Sequence, residues 1–178
     1  MNDFKIVFSG TTGAGKTTAI AAISEIPPVK TDVLNTDDTL DKAYTTVGLD
    51  YGEITLSNNE RLRLFGTPGQ ERFEFMWRIV VRDALGLVIL IDNSRAAPLE
   101  DLSLYVHAFR SALDTVPCVV GVGRTEHHTR PTIDDFADHL ASFNLSLPII
   151  PVDVRQKDDV TALLHILLAQ IESDVHTS

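Results

Sequence analysis

The sequence predicts an α/β protein with a doubly wound, mostly parallel sheet of six strands and one antiparallel edge strand. Six short apolar, β-branched runs predict the strands: residues 5–9, 51–57, 61–65, 85–91, 117–122 and 147–152. Segments with helical periodicity separate most of these runs, and that alternation favours a parallel sheet covered on both faces. Only Asn58, Asn59 and Glu60 separate the second and third runs, so this pair is expected to form a hairpin at the sheet edge.

Caps and apolar stripes predict where the helices lie. Residues 73–84 carry apolar side chains at helical spacing, and Pro98 suits the first turn of a helix whose apolar stripe extends to Leu113. Thr132, with an acidic residue three positions later, resembles the capping pair that opens a helix. From Val160 onward, apolar residues follow at i, i+3, i+4, i+7, i+8 and i+11, which predicts a long final helix.

Composition predicts one globular domain over residues 1–178. A net charge of −10 argues against binding to nucleic acid or to an anionic membrane, since both require clustered basic residues. Cys118 is the single cysteine and lies in an apolar run, which predicts a buried strand position in a reducing cytoplasm. The sequence has no signal peptide, spanning segment or lipidation motif, so no direct membrane anchor is expected. Residues 24–46 are acidic, proline-bearing and aperiodic, and predict a long functional connection.

The most informative segment is GTTGAGKT at residues 10–17, which fits the phosphate-binding pattern GxxxxGK[ST] between a strand and a helix. Nine residues form the predicted phosphate site: Gly10, Thr11, Thr12, Gly13, Ala14, Gly15, Lys16, Thr17 and Thr18. Glycines allow the loop's N–H groups to approach a phosphate closely, next to a helix N-terminus. Lys16 is expected to reach the β- and γ-phosphates, and the Thr17 hydroxyl to bind Mg²⁺.

Two further segments follow this loop at the spacing seen in a known family. Residues 45–50 read TTVGLD, and residues 66–73 read GTPGQERF. Together with the phosphate loop, they make the chain resemble a small Ras-like GTPase of the P-loop NTPase class over nearly its whole length. The resemblance is strongest to the bacterial MglA-type GTPases and related small GTP-binding proteins paired with Roadblock-domain partners.

The resemblance implies a role for several residues, with GTP, GDP and Mg²⁺ as cofactors. Thr46, or Thr45 as the alternate, would bind Mg²⁺ and the γ-phosphate in switch I. In switch II the Gly69 N–H would contact the γ-phosphate, and Gln70 would orient the attacking water. The implied catalytic residues are Gln70, Lys16 and Thr46, and the implied metal ligands are Thr17 and Thr46.

The sequence departs from the family where the metal and the base are recognised. Gly66 occupies the position at which the family's switch II usually has an aspartate that holds Mg²⁺ through water. The guanine-reading motif NKxD corresponds to residues 123–126, where Gly123 provides no side chain while Arg124 and Glu126 remain as base-side candidates. Asp153, in the segment matching the last base-contacting loop, is either a second base contact or a solvent-facing carboxylate.

A catalytic arginine is not identified by the sequence. Thr12 occupies a loop position where many relatives keep glycine to admit an arginine from a partner. Arg72, Arg78 and Arg95 are candidates within the chain, but each is more often a surface or partner-facing residue.

The sequence therefore favours a slow GTP-hydrolysing switch whose switch regions bind an effector and a Roadblock-type (Roadblock/LC7) regulator in the bacterial cytoplasm. The resemblance implies a role in cell polarity, motility or surface signalling. A pseudo-GTPase interaction module is the alternative that Gly66 and Gly123 support. A small-molecule P-loop kinase is disfavoured, because no arginine-rich lid segment is evident.

Overall fold

The fold is a seven-stranded sheet with helices on both faces, taken from a computed structural model that describes residues 2–33 and 47–177. The strands follow the order β2-β3-β4-β1-β5-β6-β7 across the sheet. Their bounds are β1 Asp3–Gly10, β2 Val29–Val33, β3 Val47–Thr55, β4 Arg61–Gly66, β5 Gly86–Asp92, β6 Cys118–Gly123 and β7 Ile149–Pro151. Strands β4, β1, β5, β6 and β7 pair in parallel, whereas β3 pairs antiparallel with β2 and β4.

The predicted α/β class and the hairpin are confirmed, but the number of strands and the position of the antiparallel strand were wrong. The additional strand is β2, which lies within the predicted connection 24–46 and forms the sheet edge beyond β3. Its sequence VKTDV is short and largely polar, as is common for edge strands, which pair with a neighbouring strand on one side only. Consequently β3, the antiparallel strand, is the second strand from the edge.

Six α-helices are described, with bounds α1 Lys16–Ile23, α2 Glu74–Val80, α3 Pro98–Ala108, α4 Arg110–Leu113, α5 Ile133–Ala141 and α6 Lys157–Thr177. A 3₁₀ turn at Glu71–Phe73 precedes α2. The helix predicted from Pro98 to Leu113 is interrupted at Phe109, and the segment predicted to extend to Ala84 ends at Val80. The capping pair is confirmed, since the Thr132 hydroxyl accepts the Asp135 N–H and the Asp135 carboxylate accepts the Thr132 N–H.

Alternating side chains of β5 divide the interior into two apolar cores. Leu87, Ile89 and Ile91 face the core formed with α2, α3 and α5, whereas Val88 and Leu90 face the core formed with α1 and α6. Burial on both faces explains the uninterrupted apolar sequence of this central strand. Cys118 is 1% exposed on β6, as predicted for a buried strand cysteine.

The parallel strands bring their carboxyl ends to one edge of the sheet. β1 ends at Gly10, β4 at Gly66, β5 at Asp92 and β6 at Gly123. In open α/β sheets ligands bind outside this edge. The described residues of the predicted site lie here.

Candidate functional site

The loop of residues 10–15 connects β1 to α1 and is shaped by glycines. Gly13 and Gly15 have φ values of 82° and 102°, a region that residues with side chains rarely adopt. A Cβ on Gly15 would lie 2.6 Å from Val154 Cγ2, and a Cβ on Gly10 would overlap the Leu90 carbonyl oxygen. The loop is therefore packed between β5 and the segment after β7, and only glycine fits at both positions.

Lys16 is held inside this loop rather than extended into solvent. The residue is 7% exposed, and Nζ donates hydrogen bonds to the carbonyl oxygens of Gly10 at 2.6 Å and Thr11 at 2.8 Å. Burial lowers the pKa of Lys16 from 10.5 to about 8, with partial compensation from the nearby Asp50 carboxylate. An anion bound at the loop would add a further counter-charge to this buried ammonium group.

A cleft of about 970 Å³ lies beside the loop and has the size of a small-molecule site. Its walls are residues 13–18 of the loop and α1, residues 123–128 after β6, residues 151–155 after β7, and Asp92 with Asp159. The predicted base-side residues Arg124, Glu126 and Asp153 all line this cleft together with Lys16 and Thr17. The structure therefore brings the predicted phosphate and base segments to one cavity.

Arg124 bridges three segments at this cavity, from a backbone with φ 61°. Its guanidinium forms an ion pair with Asp92 and lies 3.4 Å from Ser94 Oγ and 3.5 Å from the Gly13 carbonyl oxygen. Burial alone would raise the pKa of Asp92, but hydrogen bonds from Ser94 and Arg124 outweigh it and hold that pKa below its ordinary value. Asp92 is thus an ionised anchor for Arg124, which ties β5 to the glycine loop.

The two carboxylates predicted for the base side differ in their surroundings. Glu126 is exposed at the rim of the cleft. Asp153 is bound to Arg155, whose Nε and Nη2 donate to its oxygens at 2.9 and 2.8 Å and lower its pKa to about 2. Asp153 is therefore engaged by its neighbour Arg155, whereas within the part of the chain that the structure describes Glu126 forms no ion pair.

The segment after β4, predicted as switch II, touches the glycine loop directly. A Cβ on Gly69 would overlap the Thr12 amide nitrogen and lie 2.7 Å from the Thr11 carbonyl carbon. Gln70 is exposed next to this contact. The preceding Pro68 carbonyl accepts a 2.6 Å hydrogen bond from Trp77 Nε1, so the segment is also tied to α2.

Thr17 and Thr46 were predicted as metal ligands. The Thr17 hydroxyl donates to Asp50 Oδ2 at 2.5 Å, which places two hard oxygen atoms side by side at the start of α1. Thr46 and its alternate Thr45 lie outside the described residues. Over residues 2–33 and 47–177 no group of three or more His, Cys, Asp or Glu side chains is arranged to hold a metal, so a cation here would depend on hydroxyl and phosphate oxygens as well.

The candidate arginines each have a contact elsewhere on the protein. Arg78 pairs with Glu74 at 2.6 Å, and Arg95 pairs with Asp101 at 2.7 Å. The Arg72 guanidinium stacks on the Phe73 ring, 4.8 Å from its centroid. None of these contacts directs an arginine into the cleft.

Comparison with known proteins identifies the family. The sequence profile of the family described as "conserved hypothetical ATP binding protein" matches residues 8–173. This chain is a member of that family. The helices described from 2–33 and 47–177 include none that is long and apolar enough to cross a bilayer.

The chain is also similar to individual proteins, several of which are named as Ras-related. The uncharacterized protein MJ1339 of Methanocaldococcus jannaschii is 32% identical over 101 residues, which span 56% of this chain and 58% of that protein. Rat Ras-related protein Rab-7L1 is 25% identical over an alignment that covers 94% of this chain and 81% of the relative, and yeast Ras-related protein SEC4 is 22% identical over 98% and 77%. The G domain of the T. maritima FeoB iron transporter has the same fold, with a TM-score of 0.67, 14% identity, and coverage of 94% of this chain and 98% of that one.

Sequence inspection did not identify Asp92, Asp50 or Val154 as parts of the site. The signal for Asp92 was its position directly after the apolar run 85–91, which places it at the carboxyl end of β5 and at that edge of the sheet. Asp50 and Val154 lie in segments that the sequence singled out, but they come close to the loop through strand pairing and packing, which the spacing of residues does not predict.

Proposed function

We propose that this chain is a nucleotide-dependent molecular switch that binds GTP, hydrolyses it slowly, and forms a single domain over residues 1–178. The observation that carries the proposal is the direct contact between the Gly69 segment and the glycine loop at Thr12. A triphosphate bound at the loop must alter that contact, because nothing separates the two backbones there. In such switches, the segment that changes conformation with the γ-phosphate is the one that distinguishes the triphosphate state from the diphosphate state.

Each proposed site residue would contact a different part of the nucleotide or its Mg²⁺. Lys16 would neutralise the β- and γ-phosphates, and the Gly69 N–H would donate to the γ-phosphate. Gln70, exposed beside Gly69, would orient the attacking water, and Thr46 would close over the site from switch I. When bound, Mg²⁺ would neutralise phosphate charge; Thr17 and Thr46 are the residues proposed to bind it.

Guanine is the proposed base, and adenine is the alternative that the experiment must separate. The resemblance of the sequence motifs to Ras-like GTPases favours guanine, whereas the family description names ATP. Arg124 and Glu126 line the cleft where the base would lie, and Glu126 could accept the guanine N1–H and N2–H₂ donors. Asp153 is a weaker candidate for the same role because Arg155 already binds it.

The proposed partners are a Roadblock-type regulator and an effector that bind the switch regions, in the MglA-like manner, in a bacterial cytoplasm. Cell polarity, motility and surface signalling are the processes in which such a switch would act. Phe73 and Phe75 follow the Gly69 segment and are only partly buried, which suits a surface whose exposure changes with the nucleotide. A partner would supply the catalytic arginine, since Arg72, Arg78 and Arg95 each have a contact elsewhere on the protein.

Calorimetric titration with GDP, a GTP analogue and an ATP analogue, with and without Mg²⁺, tests this proposal. We expect guanine-selective binding that Mg²⁺ strengthens and that is lost in Lys16→Ala. Limited trypsin cleavage between residues 30 and 75 should also change between GDP and the GTP analogue. Equal binding of the ATP analogue would refute guanine selectivity, and an unchanged cleavage pattern would refute the switch.

A pseudo-GTPase module is the second candidate, because Gly66 and Gly123 lack the side chains with which Ras-like GTPases bind the metal and the base. Phosphate release during incubation with GTP separates the two proposals. Turnover that disappears in Gln70→Leu supports the hydrolysing switch, whereas nucleotide binding without turnover supports the module.

A further inference from the structure

We propose that Asn93, directly after β5, is a positioning residue that holds the base-side loop, residues 124–131, in the conformation that binds the nucleotide base. The inference rests on the proposed nucleotide binding and deepens it, because it assigns part of the base affinity to a residue behind the cleft. Asn93 is not one of the residues that line the cleft, whereas Arg124 and Glu126 of the base-side loop are.

The base-side loop has little burial of its own to fix its position. It connects β6, which ends at Gly123, to α5, which begins at Ile133. Residues 126–130 are all exposed, and none of the described residues 124–131 joins either apolar core. A segment with few buried apolar contacts opens easily, so its conformation depends on the hydrogen bonds that hold it.

Asn93 supplies two of these hydrogen bonds from the interior. Its Nδ2 donates to the carbonyl oxygens of His128 at 2.5 Å and Pro131 at 3.1 Å. Carbonyl oxygens only accept, so the nitrogen of the amide must be the atom that faces the loop. Asn93 is 3% exposed, and its Oδ1 is buried with no hydrogen-bond partner among the described residues. The side-chain hydrogen bonds that Asn93 forms within the described structure therefore both go to the base-side loop.

These hydrogen bonds reach the proposed base contacts through the backbone. The His128 N–H donates to the Arg124 carbonyl at 3.0 Å, which closes a turn that contains Glu126. The Asn93 N–H donates to the Gly123 carbonyl at 3.1 Å, so the same residue also holds the point where the loop leaves β6. Loss of the Asn93 amide would free the turn that presents Glu126 while leaving the glycine loop, which binds the phosphates, unchanged.

Another amide of the chain provides a matched control. Gln170 on α6 donates from Nε2 to the carbonyl oxygens of Cys118 at 3.2 Å and Ile166 at 3.5 Å. Cys118 begins β6, so this amide holds the end of the strand that lies away from the base-side loop. Gln170→Ala therefore removes an amide with two backbone acceptors without touching the cleft. Asn93→Asp keeps the shape of the side chain but replaces its donor nitrogen with an oxygen, which separates hydrogen bonding from packing.

The first measurement is competition against a fluorescent GDP analogue, with GDP, ADP and pyrophosphate as the competitors. We expect Asn93→Ala and Asn93→Asp each to weaken the better-bound of GDP and ADP by about tenfold, the order of the contribution of two hydrogen bonds. Pyrophosphate has no base and should bind within about threefold of its wild-type affinity. Gln170→Ala should match the wild type with all three competitors.

The second measurement is amide hydrogen exchange in the nucleotide-free protein, so it does not depend on ligand binding. We expect the amides of residues 124–131 to exchange about tenfold faster in both Asn93 variants and at the wild-type rate in Gln170→Ala. Urea unfolding shows whether each variant folds, and Asn93→Asp decides the matter where Asn93→Ala does not.

The outcomes separate this inference from the proposed function. A ratio of nucleotide affinity to pyrophosphate affinity that stays at the wild-type value in the Asn93 variants overturns the inference and leaves nucleotide binding standing, because an equal loss for both ligands is a general structural effect. Unchanged exchange of residues 124–131 overturns it as well. No binding of GDP or ADP by the wild type overturns both the inference and the proposed function.

Discussion

The buried lysine of the glycine loop predicts how nucleotide binding depends on pH. In the free protein the pKa of Lys16 is about 8 instead of 10.5, because the ammonium group is buried. Bound phosphate would stabilise the charged form and return the pKa to its ordinary value or above. Binding therefore favours the protonated form, so the affinity is constant below about pH 8 and falls as the pH rises above it.

The size of the loss follows from the difference between the two pKa values. Affinity should decrease by about tenfold per pH unit above about pH 8, reaching about 300-fold, or about 3.4 kcal/mol, near pH 10.5. The same pKa difference also determines how the free energy of unfolding changes with pH. Since the folded state lowers this pKa, protonated Lys16 opposes folding, and that cost disappears as the pH rises from about 8 to about 10.5.

Equilibrium titration of a fluorescent GDP analogue between about pH 7 and about pH 9.5 measures the effect. Lys16→Arg is the matched variant, because a guanidinium stays charged throughout this range. The ratio of the wild-type affinity to the Lys16→Arg affinity also cancels any titration of the nucleotide itself. A ratio that stays constant across this range would refute both the lowered pKa and the role of Lys16 as the phosphate's charge partner.

Three further substitutions test the neighbourhood of the loop. Gly69→Ala introduces a Cβ that overlaps the Thr12 nitrogen, so the segment should leave the loop and become more susceptible to trypsin at Arg72 in the nucleotide-free protein. Gly48→Ala is the control that should not change cleavage, because among residues 2–33 and 47–177 its Cβ would contact Lys30 alone, at an ordinary 3.6 Å. Trp77→Phe removes the 2.6 Å hydrogen bond to the Pro68 carbonyl and part of a fully buried ring. The free energy of unfolding, measured in urea, should fall by about 2–4 kcal/mol. A loss below about 1 kcal/mol would contradict the packing described. At Gly123→Asn there is room for the new side chain, since the nearest described atoms to a Cβ are carbonyl oxygens at 3.7 Å. The substitution should raise the selectivity for GDP over ADP by about tenfold in competition binding. Unchanged selectivity would mean that residue 123 does not face the base.

The fold could be predicted largely because buried strands carry an uninterrupted signal. β5 and β6 are covered on both faces, so nearly every residue is apolar and the strands are evident from sequence alone. β2 was missed because VKTDV owes its structure to pairing with β3 at the edge, and its own residues alternate too weakly to predict a strand. The break between α3 and α4 at Phe109 was also missed, because the apolar stripe of the segment continues across it.

The candidate site was predictable only where its residues are contiguous. The glycine loop and the segment 66–73 have fixed local spacings, so their sequence patterns identify them. Asp50 approaches Thr17 through antiparallel register, and Asp92 meets Arg124 across neighbouring strands β5 and β6. Partners chosen by strand pairing leave no local spacing in the sequence, which is why both acidic residues became evident only in the structure.

The contacts around Trp77 indicate how a change at the loop would reach the helical layer. Gly69 lies against Thr12, the adjacent Pro68 carbonyl binds Trp77 Nε1, and the indole stacks on Tyr105 of α3 with ring centroids 4.6 Å apart. Moving Gly69 away from the loop would strain or break the bond to Trp77, and a buried indole that loses its partner must repack or pay the cost of an unsatisfied donor. Since this is the single tryptophan of the chain, its fluorescence would report the position of the Gly69 segment directly. The same residue that fixes α2 in the core would thus couple nucleotide state to the surface formed by α2 and α3.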